Sequence, residues 1–520
     1  MTTSHLPGTA TPTARLELVR NLLQSARNRQ PGAPGSTSIP VVDRGEHVLS
    51  YSQERMWLLE QMMPGYNTST VIRLRGPLDT ALLGRSLALV VERHDVLRTV
   101  FEERDGAPVL RVLPAGPVPV AERTPAGETD AERYEAGLEI ARELMREPFD
   151  LATGPLLRAA VVRLSDEDAL LVLVLHHIAV DGSSMRVLWS ELSRAYEALS
   201  AGRMPELPAL PIQYGDYAVW SRAHQTADAL RPQLDYWRDR LAGESATELP
   251  TDHPRPAARS GNGAQVPFAI DAELGAAIHQ FSRQHNATPF MTLIAAFSVV
   301  IARHAASADV TIGTPIAGRV RPELDDLIGY FVNTLLIRTD LTDDPSFTDL
   351  IARTRTHTLA AYEHQELPFE ALLEELQPER DPSRNPLFQI LFALGDEETD
   401  GLVLPGLESE RLDVVDGKSR FDLNVALTRH GDAFTGIAYY ESDLFDRATM
   451  ARLMRHFTTF LRNAVTDPTC PISTVDMIDA AEHAQLLSTG AGEEVVFPGG
   501  LLPELVDVVA VGAGGVPAVV

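Results

Sequence analysis

The 520-residue chain carries 72 acidic and 45 basic side chains, a formal charge of -27, and a 44% apolar fraction. It is longer than one hydrophobic core usually serves, so two lobes are expected, and its acidity excludes the basic stripe that a nucleic-acid surface requires. A single cysteine, Cys470, rules out an internal disulfide framework, and no apolar run approaches the roughly 18 residues of a membrane helix, so a soluble, reducing, cytoplasmic setting is expected.

Residues 1–47 are rich in Pro, Gly, Ser and Thr, and the opening M-T-T-S-H-L-P-G lacks the basic and apolar regions of a secretion signal. Within this leader, Leu16, Val19, Leu22 and Leu23 fall on one helical stripe; a short docking helix and a marginal helix in a flexible leader both fit. Apolar spacing then predicts helices over 80–93 and 131–142 with a strand over 96–103. Residues 169–174 are almost wholly aliphatic and read as an interior strand. The run L-H-H-I-A-V-D-G (175–182) follows, and then a helix with Ser184 as candidate cap and Leu188, Leu192, Tyr196 and Leu199 on its apolar face. After a Pro-rich turn at 204–211, a second series begins. It has helices over 230–241, 271–285, 289–304 and 447–464, and strands over 264–269, 309–314, 335–338, 388–392, 424–427 and 434–440. This order favours an α/β architecture in two comparable halves, 48–215 and 216–480, with 481–520 as a linker or the opening of a further domain.

The histidine run carries the chemistry. On a pleated strand His176 and His177 point to opposite faces, so one enters a cavity while the other packs. His177 is the candidate for the cavity: a neutral imidazole accepts a proton near pH 7, Asp181 can orient a base or close a buried ion pair, and Gly182 leaves room beside a ligand. Zinc is disfavoured because adjacent strand histidines point apart and no third ligand is spaced to join them. A Ser-His-Asp triad is disfavoured by the absence of G-x-S-x-G.

Seven motifs occur in order: S-Y-S-Q-E-R-M-W-L-L (50–59), R-H-D-V-L-R-T-V-F (93–101), H-H-I-A-V-D-G (176–182), Y-G-D-Y-A-V-W (214–220), I-G-T-P-I-A-G-R with G-Y-F-V-N-T (312–319, 329–334), H-Q-E-L-P-F-E (364–370) and R-D-P-S-R-N-P-L-F-Q (380–389). Through them, residues 49–477 resemble the condensation domains of nonribosomal peptide synthetases. The resemblance implies two chloramphenicol-acetyltransferase-like lobes in a V-shaped pseudo-dimer, with the active site at their junction. It further implies an amide-forming acyltransferase of secondary metabolism, such as antibiotic or siderophore assembly. A donor acyl or peptidyl thioester and an acceptor aminoacyl thioester arrive on the 4'-phosphopantetheine arms of upstream and downstream peptidyl carrier proteins. An adjoining adenylation domain is implied, and residues 485–520 loosely resemble the approach to one.

By the same resemblance His176, His177, Asp181 and Gly182 form the active-site set. His177 acts as base or as hydrogen-bond partner of the acceptor amine, and Gly182 lends an N–H near the oxyanion. Asp181 pairs structurally with Arg319, while Arg98, Arg55 and Asn333 support the scaffold. Trp220 and Phe388 are expected to pack. No metal, nucleotide, bound cofactor, nucleic acid or membrane is expected, and the piece is expected to be monomeric. Ser183 and Ser184 stand where the family often has an aromatic or larger residue after D-G, which leaves the subtype open. Dehydration of a bound residue and noncatalytic docking of carriers are the alternatives.

Overall fold

The computed structural model describes residues 38–43, 47–62, 64–104, 107–243, 246–378, 381–396, 401–491 and 501–512. The leader stripe at 16–23 and Arg380 lie outside the described residues.

The first half runs α1 (Tyr51–Met62), β1 (Asn67–Arg75), α2 (Thr80–Arg93), β2 (Thr99–Arg104), β3 (Ala107–Val112), β4 (Val120–Arg123), α3 (Asp130–Arg146), β5 (Leu157–Ser165), β6 (Asp168–His176) and α4 (Gly182–Ser200); α5 (Tyr214–His224) spans the boundary, and α6 (Ala227–Arg240) opens the second half, with Leu230 and Trp237 in its core. Each helix has a local cause. The Asp79 carboxylate accepts from Leu82 N–H at 2.9 Å to start α2, whose Leu83, Leu87, Val90 and Val91 are buried at helical spacing. Thr129 and Glu132 cap α3 reciprocally. The strand expected over 96–103 begins only at Thr99, because Asp95–Arg98 closes a 3-10 turn first.

The second half runs β7 (Gly263–Ile270), α7 (Ala272–Gln284), α8 (Pro289–Ala305), β8 (Asp309–Ile316), β9 (Asn333–Asp340), α9 (Phe347–Glu363), α10 (Phe369–Leu376), β10 (Ile390–Asp396), β11 (Glu408–Leu412), β12 (Leu423–His430), β13 (Ala433–Glu441) and α11 (Arg447–Thr466), followed by the exposed α12 (Ala480–Gly490) and α13 (Leu502–Gly512). Pro289 and the Thr288 cap open α8, which is buried from Met291 to Ala302. Among the described residues no single helix is long and apolar enough to cross a membrane; α7 and α8 pass by composition only as a pair bent by 106°.

Two large sheets organise these elements, beside a two-stranded β2-β3 sheet. The first has the order β11-β1-β6-β5-β4 and the second β7-β13-β12-β10-β8-β9. Four strands correspond between them: β1-β6-β5 and β7-β13-β12 are antiparallel, and each continues into a parallel neighbour, β4 on β5 and β10 on β12. Each large sheet has its own core. Leu324, Leu327, Ile328, Tyr330, Phe331, Leu402 and Leu404 pack into the first core although they belong to the second half of the sequence, and β11 pairs with β1. The lobes are therefore joined by chain that crosses between them.

Candidate functional site

The site is the corner between β6 and α4. His176 closes β6, opposite Asn67, and His177 already lies in the turn, so the opposed-face expectation for two strand histidines applies only to the first. His176 is fully buried, with Nδ1 accepting from Ile178 N–H at 3.0 Å and Nε2 lying 3.1 Å from Glu60 Oε2. Nε2 therefore faces the Glu60 carboxylate at 3.1 Å without the geometry of a hydrogen bond. The Glu60 carboxylate accepts from Gly65 and Tyr66 N–H at 3.0 and 3.1 Å. Burial pushes its pKa up, but the His176 ring and the bonds from Gly65 and Tyr66 outweigh this and hold it below the ordinary range.

His177 is partly exposed. Its backbone N–H donates to Tyr66 O at 2.8 Å, and its Nδ1 lies 2.8 Å from Val180 O and 3.3 Å from Thr68 Oγ1. A carbonyl only accepts, so Nδ1 carries the hydrogen and Nε2 keeps its lone pair. Desolvation first, then the Arg420 cation, push the imidazole pKa down to about 4; the Val180 bond and Asp181 act the other way. At neutral pH His177 is thus an uncharged acceptor. The Tyr330 ring packs on it at 4.8 Å, and desolvation pushes that phenol up to about 12.

Asp181 is the N-cap of α4, a place the sequence reading gave to Ser184; the carboxylate lies three residues before the Ser184 N–H and is the stronger acceptor. Its Oδ1 accepts from Ser184 N–H at 2.8 Å and from Arg319 Nη2 at 3.3 Å, and its Oδ2 accepts from Phe331 N–H at 3.0 Å. The Ser184 hydroxyl, 2.7 Å from Asp181 Oδ1 and from Gly329 O, accepts from Arg319 Nη2 at 2.9 Å. With its lone pairs occupied, this carboxylate fastens the 319–331 segment to the histidine corner. Gly329 permits the approach, since the Tyr214 ring leaves no room for a Cβ there. Gly182 is the reverse: a Cβ there meets nothing within 4 Å, and as the first residue of α4 its N–H has no intrahelical acceptor.

The remaining sequence-chosen residues lie around this centre. Arg55 Nη1 reaches Glu370 at 3.2 Å and joins α1 to α10 across the lobes. Asn333 donates to Gln365 O and Leu367 O at 3.0 and 2.8 Å and accepts from Phe369 N–H, tying β9 to the same turn. Arg98 is occupied by Asp95 and Leu113 O, away from the histidines. Phe388 is core, and Trp220 stacks on His224 under Arg321. Sequence reasoning did not single out Glu60, Tyr66, Thr68, Tyr330 or Arg420. Of these only Tyr330 lies inside one of the seven motifs, which was the available signal. Among the described residues no three His, Cys, Asp or Glu side chains are grouped to hold a metal ion.

The Condensation domain family model matches residues 43–487. A linear gramicidin synthase from Brevibacillus parabrevis is 40% identical over 478 residues, which is 90% of this chain and 6% of that protein. Phosphinothricin tripeptide synthetase PhsC of Streptomyces viridochromogenes is 37% identical over 489 residues, 92% of this chain and 45% of that protein. The chain thus spans less than half of either relative. Among solved structures, the X-domain from teicoplanin biosynthesis superposes with a TM-score of 0.76 at 31% identity over 85% of this chain and 100% of that one. The first condensation domain of the calcium-dependent antibiotic synthetase shares the fold, with a TM-score of 0.69 at 20% identity over 83% and 99%. The two α/β lobes are accordingly of the chloramphenicol-acetyltransferase kind expected from the motifs. A match that begins before α1 and ends within α12 takes in both lobes and the histidine corner between them, and the chain belongs to the condensation domain family of nonribosomal peptide synthetases.

Proposed function

We propose that the chain forms an amide bond between a carrier-bound donor acyl or peptidyl thioester and the amine of a carrier-bound acceptor aminoacyl thioester. The observation that carries this reading is His177, held by Val180 O so that Nε2 keeps its lone pair at the corner between β6 and α4. A thioester is already activated, so orienting the amine and stabilising the oxyanion are the main tasks. The amine donates to Nε2 while its lone pair attacks the carbonyl carbon. The C–N bond forms, the C–S bond breaks, and the amine proton ends on the departing thiolate. An imidazole with its pKa near 4 is a weak base, which favours positioning of the amine over full proton abstraction. The first N–H groups of α4, at Gly182 and Ser183, face the developing oxyanion. Substrates arrive on phosphopantetheine arms of upstream and downstream carriers, with an adjoining adenylation domain, in the cytoplasm, and the piece itself is monomeric.

Intact-protein mass spectrometry of donor-loaded and aminoacyl-loaded carriers tests this. Wild type is expected to move the donor mass onto the acceptor carrier, and His177→Ala to slow transfer about 100- to 10,000-fold. Equal transfer by both proteins would sink the role of His177, and a further loss of one water would show dehydration. A second reading, a noncatalytic docking module, is favoured by one relative: the teicoplanin X-domain, solved also as a complex with OxyB, aligns with a TM-score of 0.77 at 31% identity. Binding of both carriers without transfer across a donor panel would support it.

A further inference from the structure

The segment 417–420 touches the start of β7 and the start of β1, the first strand of each large sheet in chain order. Gly417 O accepts from Gly263 N–H at 2.8 Å, and Ser419 N–H donates to Gly261 O at 2.9 Å, at the start of β7. The next residue, Arg420, turns to the start of β1. Its Nη2 donates to Gly65 O at 3.3 Å and Asn67 O at 3.4 Å, and its guanidinium lies 4.7 Å from the centre of the Tyr66 ring. Between those two carbonyls is the Tyr66 carbonyl, which accepts the His177 backbone N–H. The Arg420 backbone is itself held from the second lobe: its carbonyl accepts from Asn385 Nδ2 at 2.8 Å and from Arg259, which pairs with Glu441 at 3.0 Å.

We propose that Arg420 is a positioning residue for the transfer reaction, reaching from the second lobe to fix the Gly65–Asn67 backbone on which His177 hangs. This rests on the reading of His177 given above. It also assigns work to the R-N-P motif, whose Asn385 holds the Arg420 carbonyl. The charge of Arg420 acts in the same direction as its bonds. Facing His177 are Arg420 and His176, which disfavour its protonation, and Asp181, which favours it; Arg420 is the strongest of the three. Removing the cation therefore moves the His177 pKa upward, toward its ordinary 6.5.

The test uses the whole chain and reads His177 without relying on turnover, because the acceptor amine itself titrates in the pH range of a rate profile. Nuclear magnetic resonance of isotope-labelled histidines, with His177 assigned by the signal missing in His177→Ala, reports tautomer and charge. Wild type is expected to show a neutral Nδ1–H imidazole from about pH 8 down to about 5.5, since its pKa lies near 4. Arg420→Met is expected to show tautomer exchange within that window, protonation at a higher pH than in wild type, and a roughly tenfold lower kcat/KM, while Arg420→Lys restores most of both. The proposal is overturned if Arg420→Met leaves the His177 signal unchanged, whether transfer falls or not, or if Arg420→Lys restores neither. Failure of wild type to transfer any donor would instead count against the amide-forming reading, and the two failures are separable because the His177 spectrum is recorded without substrate.

Discussion

Two strand-turn-helix corners occupy equivalent places in the two sheets, and the contrast between them separates scaffold from chemistry. In the first, β6 ends at His176 and α4 begins at Gly182; in the second, β13 ends at Glu441 and α11 begins at Arg447, at the same spacing. His177 N–H donates to Tyr66 O just before β1, and Ser442 N–H donates to Asn262 O just before β7. The buried polarity is inverted. At the first corner the buried His176 ring faces the Glu60 carboxylate at 3.1 Å, whereas at the second the buried Glu441 carboxylate accepts from Arg259. The helix caps differ as well: Asp181 is buried and bonded from both lobes, while Asp446 is exposed, makes no capping bond and faces His253 at 3.1 Å. The backbone corner is thus a reusable frame. A second imidazole and a glycine distinguish the copy proposed as the reaction site, and a carboxylate-guanidinium pair distinguishes the other, whose Arg259 holds the Arg420 carbonyl.

The largest expected difference lies between the two caps. Asp181→Ala removes the partner of a buried guanidinium and leaves Ser184 and Phe331 N–H without their acceptor, which costs about 3–5 kcal/mol. Asp446→Ala breaks an exposed pair and costs under about 1 kcal/mol. Urea unfolding of both variants measures the gap, and comparable losses would show that the two corners are equally constrained. Because Asp181→Ala is expected to lower folded protein, its loss of transfer is not evidence of a chemical role.

A smaller effect is expected at Glu60, the acceptor at the first corner. Glu60→Gln keeps the shape and one acceptor oxygen but replaces charge-assisted bonds with neutral ones, for a cost of about 1 kcal/mol near neutral pH. The folded-state pKa of Glu60 is lowered, so its contribution is fully present above the ordinary value of 4.5 and is lost as pH falls through the folded value. The stability difference between wild type and Glu60→Gln should therefore close in acid. A difference that failed to shrink as pH falls through the folded value would contradict a Glu60 carboxylate held charged by its bonds in the folded chain.

Local signals made some of this legible. Residues 169–174 are apolar without alternation and form the buried centre of β6, and Thr288-Pro289 before a long apolar run announces α8. The Asp181–Arg319 pair came through the motifs, and the two side chains meet at 3.3 Å. By contrast, β11 reads E-S-E-R-L, which has no apolar period, and its strand character comes from the edge of β1 that it covers. Arg420 was beyond reach for the same reason. It acts on carbonyls 355 and 353 residues away, and backbone oxygens carry no mark in a sequence. Glu60 closes no recognised motif, and its acceptor role exists only once the turn at Gly65 and Tyr66 has formed.

The smallest structural effect is expected at Gly182, and this makes it the sharpest probe of what distinguishes the corners. Its backbone conformation is not left-handed and an added Cβ has no neighbour within 4 Å, so nothing in the folded chain requires glycine there. At the matching place the second corner has Arg447, whose side chain bonds to Gln265 O at 2.7 Å. Gly182→Ala should leave the melting temperature within about 2 °C of wild type, a change below about 0.5 kcal/mol, and, with the thioester carbonyl at the first turn of α4 as proposed, still reduce transfer, because the methyl group takes up space there. Unchanged transfer would place the carbonyl elsewhere and remove the first turn of α4 from the oxyanion site.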